Sequence, residues 1–132
     1  MKIKVAPPPN LSDILKVFPE VAGKPILFAY GDTIYNPMGV FVPDELIAHE
    51  EVHSARQGAY VADWWNSYLS SKEFRLLEEI PAHRAEYRRF CQAVKDRNQR
   101  ARYASAVAGR LTSKLYELEI TQQKALKEIL HG

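Results

Sequence analysis

His49, Glu50 and His53 stand in the order His-Glu-x-x-His within Ala48-His49-Glu50-Glu51-Val52-His53. Residues four apart on an α-helix share a face, with Cβ atoms about 5–6 Å apart, so both imidazoles can converge on one metal ion. Glu50 follows His49 directly and projects beside that ion instead of over it. A carboxylate so offset can hold a water and take its proton without filling a coordination position. Shuffling 4 His and 11 Glu through 132 residues gives this arrangement in about one chain in a hundred, so the context has to decide.

A catalytic zinc site needs a third protein ligand and an open position. An extended motif with glycine at position 56 and histidine at position 59 is excluded, because Arg56 and Ala59 stand there. The other common source is a carboxylate from a later helix. Glu78-Glu79-Ile80-Pro81-Ala82-His83 begins after a gap that allows a connection and an antiparallel return, with 25 residues between His53 and Glu79. Should that helix run through Pro81, Glu79 and His83 share a face. His83 could then ligate, support a ligand by hydrogen bonding, or bind a substrate oxyanion. Glu86, a turn further on, could orient His49 or His53. Tyr87, Tyr35 and His83 are the candidates for stabilising an oxyanion. Trp64-Trp65 reads as core or lid packing, or as a wall of the cleft.

Three segments together resemble a minimal zincin metallopeptidase of the gluzincin type, the small kind found in bacterial and phage genomes. They are Ile34-Tyr35, Leu46 to Gln57 (LIAHEEVHSARQ) and Glu79 to Tyr87 (EIPAHRAEY), and the resemblance covers roughly residues 33–90. It implies one Zn2+ per chain, with His49, His53 and Glu79 as ligands and Glu78 as the fallback for the third. It further implies hydrolysis of a peptide or protein substrate by zinc-activated water, with Glu50 as general base. An extended substrate would pair along a strand edge at Thr33 to Tyr35 or Val40 to Val42.

The elements that must position these groups are legible in outline. Leu11 to Phe18 reads as a short helix stopped by Pro19. Pro25 to Tyr30 and Thr33 to Tyr35 read as strands joined by Gly31-Asp32 in a type II′ hairpin turn. Asn36-Pro37-Met38-Gly39 is a second turn, after which Val40 to Val42 is expected to continue the sheet. A helix from about 44 to Gln57, with Asp44 as a cap and Gly58 as its stop, carries the motif. Ala59 to Leu69 is an aromatic segment, either helical or a packed loop. Ser70-Ser71-Lys72-Glu73 matches a capping box that opens the next helix. Pro81 is expected to kink or split it, with helical character resuming from Ala82 to about Arg102. One last helix is expected to bury Val107, Leu111, Leu115, Leu118, Leu126 and Ile129. The fold class is α+β, a small N-terminal antiparallel or mixed sheet followed by a mainly helical core, and residues 1–132 form one domain.

Composition sets the outer limits. Apolar residues make up 46% of the chain and charged residues 26%, as in ordinary globular domains able to bury a core. The single Cys91 excludes an intramolecular disulfide and a Cys-rich zinc cluster. No apolar run reaches the roughly 18 residues of a membrane span, and prolines replace the apolar stretch of a secretory signal, so a cytoplasmic protein is expected. Residues 82–132 carry 11 Lys+Arg against 5 Asp+Glu. Much of that excess lies between Arg84 and Arg102. No nucleic-acid motif accompanies it, so a solvated helix face is the simpler reading. The competing function is a non-catalytic zinc-binding structural or regulatory protein, whose basic helix from Arg84 to Arg102 binds a protein or nucleic-acid partner.

Overall fold

The computed structural model describes residues 1–113 and 120–131. It is α+β, with a three-stranded mixed sheet followed by helices. The hairpin of β2 (Phe28–Tyr30) and β3 (Thr33–Tyr35) turns at Gly31, whose φ of 62° suits a residue without a side chain. The N-terminal segment adds β1 (Lys2–Lys4), parallel to β3, so the strand order is β1-β3-β2. β3 is therefore the central strand and offers no edge to a substrate. Val40 to Val42 does not extend the sheet either, because the turn at Asn36 leads into an irregular stretch. Asn36 holds that turn by exchanging side-chain hydrogen bonds with the backbone of Val40. The outer edge of β2 is covered as well, since the Ala29 carbonyl accepts from Gln57 Nε2 and Trp65 Nε1.

Helix α1 (Leu11–Val17) ends before Pro19 as expected and buries Ile14. Helix α2 (Asp44–Gln57) carries the His-Glu-x-x-His segment. Pro43, in extended conformation, is its N-cap, and Asp44 makes no side-chain cap; Asp44 and Glu45 instead favour the positive end of the helix dipole. Gly58 terminates it with a φ of 54°. The end of α2 is fastened to the hairpin. Ser54 Oγ donates to the Gly31 carbonyl, Gln57 Oε1 accepts from Gly31 N, and Gln57 Nε2 donates to the Ala29 carbonyl.

Helix α3 (Val61–Ser70) resolves the aromatic segment as helix, and its Trp64, Trp65 and Tyr68 join Ile14, Phe18, Val21 and Phe28 in one apolar core. Helix α4 (Lys72–Ala93) is capped by Ser71, whose Oγ accepts from Phe74 N, so the cap lies one residue later than the capping-box reading places it. Pro81 neither splits nor ends α4. The bond it cannot make would have gone to the carbonyl of Leu77, a residue 64% exposed, where water can serve that carbonyl. Packing against α2 on one side and the later helices on the other then keeps the element whole. The helix stops at Ala93, and Asp96 caps a new one, α5 (Arg97–Leu111), by accepting from Gln99 N.

The expected single last helix is not continuous among the described residues. After α5 the chain turns at Thr112-Ser113, and α6 (Gln122–His131) follows Thr121, whose Oγ1 accepts from Lys124 N. Val107, Ala108 and Leu111 of α5 pack with Ala125 and Ile129 of α6 in a second apolar core. Leu115 and Leu118 lie outside the described residues. Among the described residues, no helix is long and apolar enough to cross a membrane.

Candidate metal centre

Between the two apolar cores, α2 and α4 lie antiparallel and face each other along a polar seam. Glu50, His53 and Gln57 of α2, with Glu78, Glu79, His83 and Glu86 of α4, are all buried. Buried ionisable groups cost several kcal/mol each unless paired, so a seam of this kind marks function more often than stability.

At its centre is one oxygen. Glu79 Oε1 lies 3.1 Å from His53 Nε2 and 3.3 Å from His49 Nε2. The two imidazoles, one helical turn apart, thus turn the same nitrogen toward the same carboxylate, with ring centroids 5.0 Å apart. The second oxygen of Glu79 accepts a short hydrogen bond from the Tyr68 hydroxyl. Glu50 stands to one side, with Oε2 at 4.0 Å from His49 Nε2. That buried oxygen has no hydrogen-bond partner among the described residues, nor does His53 Nδ1. Among the described residues, His49, Glu50 and His53 offer ligand atoms within metal-binding reach of one another, and so do His49, Glu79 and His83.

The surroundings fix the rings. His49 Nδ1 donates to Glu86 Oε1 at 2.9 Å, placing Glu86 behind His49 as one of the two expected positions. Glu86, fully buried, also accepts from the Tyr103 hydroxyl and is paired with Arg110. His53 is held by packing, edge-on to Trp64 and Tyr68. His83 Nδ1 donates to the main-chain oxygen of Glu79 at 2.7 Å. Its other nitrogen then carries no hydrogen while the ring is neutral, and an oxyanion requires a donor.

The electrostatics follow from these contacts. Burial opposes the charge on His49, yet hydrogen bonds to Glu79 and Glu86 outweigh it and hold its pKa up to about 10 in the metal-free chain. Burial also opposes ionisation of Glu79, but the facing histidines bring its carboxyl well below the ordinary range. Glu50 is pushed up by burial, only partly opposed by His49 and His53. His83 is pulled down to about 4, first by burial and then by the charge of His49. Burial raises Glu86, but the His49 hydrogen bond and the Arg110 charge bring it to about 2.

These two lowered values have the same sign in stability. For His83, with an ordinary value of 6.5, the unfolded chain binds more protons than the folded one between pH 6.5 and about 4. For Glu86, with an ordinary value of 4.5, the same holds between pH 4.5 and about 2. Their stabilisation is present above each window and is lost as pH falls through it. Glu50, raised by burial, acts in the opposite sense above pH 4.5, so between pH 6.5 and 4 the urea midpoint of the metal-free parent is expected to drop relative to that of metal-free His83→Gln.

Glu78, the alternative third ligand, points elsewhere. Arg56 grips it with two nitrogens, the closest contact being 2.6 Å, and the Trp64 indole N–H donates to it at 2.6 Å. Glu78→Ala would strand that buried indole donor and is expected to cost about 1–3 kcal/mol of stability, read from a denaturant curve, while metal content stays unchanged. Tyr87 packs with the α5–α6 core, and Tyr35 packs against the α1–α3 core; neither lines the space beside the histidines. Trp64 and Trp65 satisfy both expectations, since they are core residues that also wall a recess beside His53. Several arginines of the basic stripe are engaged within the fold. Arg84 bonds Glu128 of α6, and Arg100 donates to the carbonyls of Cys91 and Val94 at the end of α4.

Sequence reasoning missed Tyr68, Tyr103 and Arg110. Tyr68 lies four residues after Trp64 on α3, and that spacing is a signal for a shared buried face. Tyr103 and Arg110, seven apart on α5, had no comparable signal, because their partner Glu86 is on another helix. No protein-family model, no curated protein and no solved structure matches this chain, and the geometry of its own residues carries the functional reading.

Proposed function

We propose that the chain is a zinc-dependent metallopeptidase that hydrolyses peptide bonds, with His49, His53 and Glu79 as the zinc ligands and Glu50 as the general base. The observation that supports it is the spacing around Glu79 Oε1. Ligand atoms set tetrahedrally at 2.0–2.1 Å from zinc stand about 3.3–3.4 Å from one another; the two histidine nitrogens are 3.3 and 3.1 Å from that oxygen. Tyr68 occupies the other oxygen of Glu79, so that carboxylate would offer a metal a single ligand atom, with Glu50 standing beside it.

Zinc at this site supplies Lewis acidity toward the scissile carbonyl and lowers the pKa of the attacking water. Glu50 takes the proton from that water and later delivers it to the leaving amine. Burial raises its proton affinity, in the direction a base working near neutrality needs. Glu86 keeps His49 Nδ1 protonated and its Nε2 turned inward. Pro25–Leu27, the segment just before β2, border an open cleft of about 340 Å³ whose lining includes His49 and Glu50.

The structural-zinc alternative needs a fourth protein ligand, and His83 is the only histidine near enough among the described residues. Its Nδ1, 3.5 Å from Glu79 Oε1, donates to the Glu79 carbonyl, so that alternative would have to use its Nε2. Metal analysis of the purified protein tests the proposal without any guess at the substrate. One zinc per chain is expected in the parent and none in His53→Ala; equal metal in both would remove the basis of the reading.

A further inference from the structure

A groove of about 550 Å³ between α5 and α6 shares no lining residue with the cavities beside the histidines. Its floor is apolar, made by Ala101 and Ala104 of α5, Leu126 and Leu130 of α6, and Tyr87 of α4. Lys95, Arg97 and Arg100 form a cationic rim where α4 passes into α5. A ridge of the opposite charge lies at the start of α2. Phe41 is 87% exposed there, more than any other large apolar side chain among the described residues, and Met38 and Val40 beside it are exposed too. Asp44 and Glu45 follow in the first turn of α2. We infer that the two surfaces bind each other between two copies of this chain, each copy seating its Phe41 ridge in the groove of the other.

Charge selects this occupant. Two other arginines of the basic stripe already have acids, Arg84 with Glu128 and Arg89 with Asp44. Lys95 and Arg97 pair with no carboxylate among the described residues, and Arg100 donates to neutral main-chain carbonyls that leave its charge in place. Asp96, the acid of that turn, is occupied in capping α5. Glu45 likewise has no ion-pair partner among the described residues, and the Asp44–Arg89 contact is an exposed one at 3.7 Å. Acids and cations facing each other across an interface steer the encounter and fix its register, while Phe41 meets the alanines and leucines. Exposed apolar surface rimmed by charge is the usual mark of a protein contact. A phosphate chain gains nothing from a leucine floor, and a flat membrane does not reach a concave one.

Position lets the contact close. The hollow beside Phe41 is lined by Arg89, Gln92 and Ala93 of α4, and the groove by Tyr87 and Lys95. Both surfaces therefore flank the end of α4. A two-fold axis near that end lets ridge enter groove twice, so assembly stops at two chains. The contact needs neither zinc nor hydrolysis and stands apart from the peptidase reading.

Sedimentation equilibrium of the full chain in chelator, over a series of concentrations, tests the proposal. A monomer–dimer equilibrium is expected, weakened by added salt. Phe41→Ser, Glu45→Lys and Arg97→Glu should each weaken it tenfold or more, with circular dichroism confirming that each variant is folded. Glu45→Lys and Arg97→Glu each set like charges against one another in their own dimers. Mixed in equal amounts, they restore opposite charges at both contacts of a mixed dimer. Association near the parental strength is therefore expected from two chains that associate poorly alone.

A parent that stays monomeric to about 1 mM overturns the inference. A dimer unchanged by Phe41→Ser and by both charge variants overturns it as well, since its interface lies elsewhere. Charge variants that weaken association but do not rescue each other remove the pairing of ridge with groove. A monomeric parent that binds duplex DNA, and loses it in Arg97→Glu, gives the groove to a polyanion instead.

Discussion

Glu50→Gln is expected to bind one zinc per chain and to lose peptide hydrolysis by about 10²–10⁴-fold, the usual worth of a positioned general base. Glu50 Oε2 makes no hydrogen bond among the described residues and approaches His49 Nε2 only to 4.0 Å. The substitution keeps size and hydrogen-bonding capacity and removes only the ability to accept a proton. Metal content by elemental analysis and turnover on an unstructured peptide check the two halves separately. A variant that cleaves as fast as the parent would refute the role of Glu50.

Glu79→Gln is expected to weaken zinc binding by more than about 100-fold, beyond the loss typical for a residue that merely orients a ligand. The amide keeps an oxygen for the Tyr68 hydroxyl, so the local packing survives and the loss is one of charge. Competition with a chelator of known affinity reads the effect. Glu79→Ala adds a second penalty, since it leaves the histidines facing an uncompensated space; breaking a buried ion pair costs about 3–5 kcal/mol. Loss of stability without loss of zinc in Glu79→Gln, or unchanged zinc affinity, would move the third ligand elsewhere. Glu78 is already committed to Arg56 and Trp64.

What the sequence made legible was local. The motif helix was readable from Pro43 to Gly58 because its signals are adjacent in the chain: a proline before, acids in the first turn, a glycine after. The hairpin was readable for the same reason, with Gly31 at the turn. The pairing of β1 with β3 was not, because a parallel partner some thirty residues away leaves no trace in either segment. That one pairing turned the expected substrate edge into the centre of the sheet. Pro81 misled in the opposite direction. A proline rule concerns the helix alone, whereas α4 is held by neighbours on several sides and the carbonyl left over is at an exposed residue.

The site shows the same division. His49, Glu50 and His53 follow from spacing on one helix. Glu79 and Glu86 could be named as candidates from the chain length between them and the motif, and the structure brings both to the histidines. Tyr68, Tyr103 and Arg110 act across helices, and nothing in their own neighbourhoods announces a carboxylate partner.

Glu86 draws the outer boundary of the working unit. It is wholly enclosed, and its negative charge is matched by His49 on one side and by Arg110, from α5, on the other. A shortened chain ending with α4 would retain every side chain that faces the proposed metal and would still lack the cation opposite. The smallest piece able to keep His49 correctly turned therefore reaches at least to Arg110, well past the last residue of the motif itself.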